Sequence, residues 1–200
     1  MPLVNFTARE ITCKLVYYGP GRCGKTTNLQ YIHGRVPESR RGRMVSLATQ
    51  ADRTLFFDFL PIELGVISGF TTRFQLYTVP GQVYYNATRR LVLQGADGVV
   101  FVADSQARRF DENVESFQNL QENLLEQSVD IRQLPLVLQY NKQDLPSDLV
   151  LTPDEMDEAF NFRSVPSLAA DALHGTGVFE TLKALSTIVL QRLAARPPTL

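Results

Sequence analysis

Tryptophan is absent from this chain, histidine and cysteine occur twice each, and 20 basic residues face 21 acidic ones for a net charge of −1. A nucleic-acid surface needs a basic patch and stacking rings, so that class of partner is set aside. The two cysteines, Cys13 in an apolar run and Cys23 in a glycine-rich loop, could pair only by distorting that loop. Reduced thiols and a cytoplasmic setting are therefore expected. His33 and His174 stand apart with no zinc-type spacing and read as surface residues. Long hydrophobic runs are also missing: Val99 to Ala103 is far too short to span a bilayer, and the N-terminus shows no signal-peptide core. Residue 2 is proline, and Pro197-Pro198-Thr199-Leu200 offers no cysteine to prenylate, so no direct membrane anchor is expected. An apolar fraction of 44% suits one globular domain over residues 1–200, with a core from about 5 to 194.

What is present is Gly19-Pro20-Gly21-Arg22-Cys23-Gly24-Lys25-Thr26, two glycines set apart and closed by Lys-Thr. This is the phosphate-loop spacing. Ile11 to Tyr18 before it is apolar and β-prone, and Lys25 to Ile32 after it reads as a helix stopped by Gly34. Between strand and helix, Gly19, Gly21 and Gly24 let backbone N–H groups of the loop, Arg22, Cys23 and Thr27 included, face a polyphosphate. Lys25 would reach the outer phosphates and the Thr26 hydroxyl would ligate Mg²⁺.

Elsewhere strands alternate with helices. Residues up to Glu10 form an edge strand or an ordered arm, and Arg35 to Arg43 is an arginine-rich loop, either solvated or partner-facing. Thr54 to Pro61 and Thr72 to Val79 read as a hairpin joined through Gly65 to Gly69. Gln82 to Leu93, the stretch around Val114 to Leu124, the helix opened by Thr152-Pro153-Asp154-Glu155, and Val178 to Leu193 read as helices. Gly98 to Ala103, Leu136 to Tyr140 and Ser164 to Leu168 complete the strands. The order predicts an α/β fold, a mostly parallel six-stranded sheet with helices on both faces and ligands at the carboxyl ends of its strands.

Asn141-Lys142-Gln143-Asp144 follows the Leu136–Tyr140 strand at that edge. Asp144 can accept two hydrogen bonds from the ring N–H and amine of guanine, which adenine does not offer. Asn141 would tie this turn to the phosphate loop, and the Lys142 stem would pack along the nucleotide. With both motifs in place the chain resembles a small Ras-like GTPase, which implies a three-layer P-loop GTPase fold binding GTP/GDP and Mg²⁺. The resemblance puts a third base-contacting loop at Asp171-Ala172-Leu173, where the backbone N–H of Ala172 would meet the guanine carbonyl oxygen. It also assigns Gly81 to sensing the γ-phosphate and Gln82 to orienting the attacking water. The usual aspartate of that segment is Thr78, a hydroxyl without charge.

Arg53-Thr54-Leu55-Phe56-Phe57-Asp58-Phe59-Leu60-Pro61 and Thr78-Val79-Pro80-Gly81-Gln82 further resemble the MglA-type bacterial polarity and gliding GTPases. That family implies a cytoplasmic switch, monomeric alone, recruited to a cell pole and activated by a roadblock-fold MglB homodimer. It implies Arg53 as a catalytic finger and Thr54 as the switch threonine on Mg²⁺, with Thr49 as the alternative. Asp58, among phenylalanines, is expected to face solvent, and Tyr84 and Tyr85 to serve the core or a partner surface. Two other readings stay open: a guanine-nucleotide-dependent binding module with little hydrolysis, suggested by Thr78, and a small-molecule kinase, for which no acceptor pocket or lid is visible.

Overall fold

The computed structural model describes residues 2–47, 57–67, 69–82 and 85–195. Its eight strands, β1 (Leu3–Asn5), β2 (Glu10–Tyr18), β3 (Val45–Leu47), β4 (Phe57–Ile67), β5 (Phe70–Thr78), β6 (Gly98–Asp104), β7 (Leu136–Asn141) and β8 (Ser167–Ala170), form one sheet. The order is β3-β4-β5-β2-β6-β7-β8, with β1 antiparallel to the start of β2. From β5 to β8 every neighbouring pair is parallel, and β3, β4 and β5 are joined antiparallel. The sheet has two strands beyond the six expected: β1 is the edge strand that the residues up to Glu10 offered, and β3, three residues long, is too brief to show a period in sequence.

Helices α1 (Lys25–Arg35), α2 (Asn86–Leu93), α3 (Phe110–Glu126), α4 (Pro153–Phe160) and α5 (Val178–Ala195) cover both faces. Strand alternation decides which residue meets which layer. Cys13, Leu15 and Tyr17 of β2 share a core with Leu29 and Ile32 of α1 and Leu182 and Leu185 of α5. Val16 and Tyr18 face the other way, into a core with Val92 of α2, Phe117 and Leu120 of α3 and Met156 of α4. One polar cluster crosses the first core: the Gln139 amide donates to Asn28 Oδ1 (3.0 Å) and Thr181 Oγ1 (2.9 Å), tying β7 to α1 and α5.

Several boundaries differ from expectation. Gly34 lies inside α1; the helix closes at Val36, whose N–H donates to Ile32 O, just before Pro37. The last strand starts at Ser167 rather than Ser164, because Ser164 takes φ 50° and Pro166 offers no N–H to a ladder. Arg35 to Arg43 is partly ordered by the sheet edge: a 3₁₀ turn spans Glu38–Arg40, Arg41 bridges to Ile62, and Gly42 N–H donates to Pro61 O. The β4–β5 hairpin carries a bulge between Glu63 and Gly65. Leu64 there is an extra residue, so the register beyond it is shifted by one. No helix among the described residues is long and apolar enough to cross a membrane.

The Thr152 cap forms as its sequence requires, with Thr152 Oγ1 accepting from Glu155 N–H and the Glu155 carboxylate accepting from Thr152 N–H. Thr152→Ala should lower unfolding free energy by about 1 kcal/mol in urea denaturation while leaving nucleotide affinity unchanged.

Candidate functional site

The carboxyl end of β2 runs into the glycine-rich loop, and the loop into α1. Helix α1 begins unlike α4: its N-cap is Gly24 at φ 103°, no side chain caps it, and its first turn holds no acidic residue. Its free N–H groups and positive dipole end are left to an outside anion. Lys25 is buried and folds back, donating to the carbonyls of Gly19 (2.9 Å) and Pro20 (2.6 Å) and lying 3.5 Å from Cys23 Sγ. Burial pushes its pKa down, with Cys23 and Asp58 opposing that shift and Arg89 adding to it.

Asp58 overturns its expected orientation. It is buried, 7% exposed, and accepts hydrogen bonds from Thr26 Oγ1 (2.6 Å), Ser46 Oγ (2.7 Å) and Thr78 Oγ1 (2.8 Å). Its own N–H donates to Thr78 Oγ1 at 2.8 Å. The hydroxyls come from α1, β3 and β5, so one carboxylate on β4 joins the phosphate loop to the hairpin. Thr78 lacks the family aspartate's charge, and its cross-strand neighbour carries that charge instead. All four residues line a cavity of about 320 Å³ with Arg22, Gly24, Lys25, Thr27 and the Val79-Pro80-Gly81 main chain. Gly81 packs on the loop so tightly that a Cβ there would lie 2.3 Å from Gly21 Cα. Gln82 follows on the exposed side. The donors are oxygen only, which suits a hard divalent cation.

The guanine turn sits at the end of β7. Asn141 is buried and bridges: its amide donates to Cys23 O (2.7 Å), and its Oδ1 accepts the Ala172 N–H (2.8 Å). The expected third loop is therefore next to the second, with the Ala172 N–H engaged by Asn141. Lys142, at φ 73°, pairs its ammonium with buried Asp104 at 2.6 Å. Arg22 lies between two cavities, the second of about 380 Å³ and lined also by Asp104, Arg109 and Lys142. Asp144 is exposed, its carboxylate grouped with Asp171 and His174 within 4.8 Å. His174 is exposed, as expected, and its Nδ1 lies 2.5 Å from Asp171 Oδ2. Arg53, Thr54, Thr49 and Tyr84 lie outside the described residues.

A sheet that brings a phosphate loop from β2 and a base-selecting turn from β7 to one edge is the arrangement of a small Ras-like GTPase. Residues 61–189 match the ADP-ribosylation factor family, and the chain belongs to it: it is a GTPase, binding guanine nucleotide and hydrolysing GTP. A particular relative is the mutual gliding-motility protein MglA of Myxococcus xanthus (strain DK1622), 56% identical over 193 residues, 96% of this chain and 98% of that one.

The tie between the two motifs makes a direct test. A Cβ at Gly24 would require a strained φ of 103° and would lie 2.1 Å from Asn141 Nδ2. Gly24→Ala should weaken GDP binding by about tenfold to a hundredfold in fluorescent-nucleotide titration.

Proposed function

We propose that this GTPase is a Mg²⁺-dependent switch in bacterial cell polarity or motility, alternating between GTP and GDP states in the cytoplasm and recruited to a cell pole. The observation that carries the switch reading is the Asp58 carboxylate with its three hydroxyl donors, which mechanically joins the phosphate loop to the β4–β5 hairpin. The polarity and motility role rests on likeness to the Myxococcus protein. The activating partner is a roadblock-type MglB homodimer, as the family resemblance implies.

In this reading Thr26 and Thr54 would hold Mg²⁺, with Asp58 and Thr78 beside Thr26 as its hydrogen-bonding neighbours. The ion supplies charge neutralisation of the phosphate oxygens when bound. The chain does the rest. Lys25 turns from the Gly19 and Pro20 carbonyls to the outer phosphates, and Gly19, Gly21, Arg22, Cys23, Gly24 and Thr27 surround them. Gly81 N–H senses the γ-phosphate, Gln82 orients the water, and the Arg53 guanidinium offsets charge developing on the bridging oxygen. Asn141, Lys142 and Asp144 hold guanine, with Ala172 at the base edge. Loss of the γ-phosphate releases the segments around Thr54 and Gln82.

Partner-stimulated single-turnover hydrolysis tests the catalytic roles: Gln82→Leu and Arg53→Ala should each reduce the stimulated rate by about 10³ or more with GTP affinity retained. Unchanged stimulated rates would remove the assignment. Asp58→Asn keeps the side-chain shape but removes the charge and one of the two acceptor oxygens. It should raise the Mg²⁺ concentration needed for half-maximal GTP retention by about tenfold or more, read by nucleotide release in a magnesium titration.

A further inference from the structure

Behind the phosphate loop lies a cation that none of the roles above uses. Arg89, on α2, is fully buried, with its guanidinium carbon 4.4 Å from the centre of the Tyr18 ring. Its Nη2 donates to Ser116 Oγ at 2.6 Å and to Gly19 O at 3.4 Å. Nε and Nη1 are buried without a hydrogen-bond partner, and no carboxylate pairs with the guanidinium among the described residues. The carbonyl of Gly19 is the one that Lys25 also holds, at 2.9 Å, so two buried cations converge on the first residue of the loop.

Burying a charge without a counterion is costly, and an apolar side chain of similar shape would pack this space more cheaply. Space-filling alone therefore does not account for an arginine here. Glu115 acts on it only through space, so direct compensation is open to an anion on the far side of the loop, at the bare N-terminus of α1. We propose that Arg89 is a positioning residue for phosphate: it fixes the Gly19 carbonyl from behind and adds a buried positive charge whose compensation is the nucleotide's polyphosphate tail. The proposal rests on the guanine-nucleotide binding of the family. Arg89 does not touch the nucleotide; it acts through the loop and through the field. It also links α2, which follows the Gly81-Gln82 segment, to the start of that loop.

A charge acting on phosphates has a signature that a packing role lacks: its effect grows with the number of phosphates. Affinities for GMP, GDP and GTP are measured by competition against a fluorescent GDP for wild type, Arg89→Met, Arg89→Gln and Arg89→Lys. Urea denaturation of the nucleotide-stripped proteins is recorded alongside. The neutral variants should lose about tenfold for GDP, more for GTP and least for GMP. Their stripped forms should be as stable as wild type or more so, since the buried charge is gone. Arg89→Lys should recover most of the GDP affinity. Equal losses for all three nucleotides, or no loss, overturns the proposal, as does failure of both neutral variants to fold. Absence of GDP binding by the wild type would instead strike at the family function itself.

Discussion

One carboxylate governs how the parts of this site move together. Asp58 on β4 receives hydroxyls from α1, β3 and β5, and each of those elements has other work: Thr26 opens the helix behind the phosphate loop, and Thr78 leads into Gly81-Gln82. A buried carboxylate with three donors is well satisfied and resists leaving its place. The phosphate-loop helix and the hairpin thus meet at one shared acceptor, without a longer chain of contacts between them.

The electrostatics are arranged on two sides of the loop. Arg89 is buried behind it and Lys25 in the cavity in front, both meeting the Gly19 carbonyl, and Asp58 lines that same cavity near Thr26. Neither cation has a carboxylate partner of its own among the described residues, whereas the nearby Lys142 is paired with Asp104. These two cations without a carboxylate partner gather at the loop that a polyphosphate meets, while Lys142, at the base-selecting turn, is already paired.

Most of the architecture was legible in the sequence because it rests on strong local signals. The phosphate loop, the buried run of β6, the Thr152 cap and the periodic face of α3 each announce themselves within a few residues. The edge strand β3 did not, and Gly34 misled because Pro37, not glycine, ends α1. Asp58 was misplaced for a more instructive reason. Alternation does set it on the face opposite Phe57 and Phe59, but that face is not solvent: Asp58 shares it with Leu60 and Ile62, which pack with α1, so the polar side of the strand end is turned into the site. Alternation tells which residues share a face, and nothing in the local sequence says what covers that face. Arg89 was missed because a charged residue on an amphipathic helix reads as solvated. Its burial depends on Ser116 and Tyr18, both distant in sequence.

The unfinished beginning of α1 has a consequence for how the protein exists in a cell. Helix α4 is closed by its own Thr152 and Glu155, whereas α1 has neither a capping side chain nor an acid in its first turn and starts at the loop that meets the nucleotide. A bound nucleotide therefore supplies the end-piece of a structural element and stabilises the folded chain by mass action. Regulation of such a molecule acts on which of two occupants is present, and on how fast one can be traded for the other.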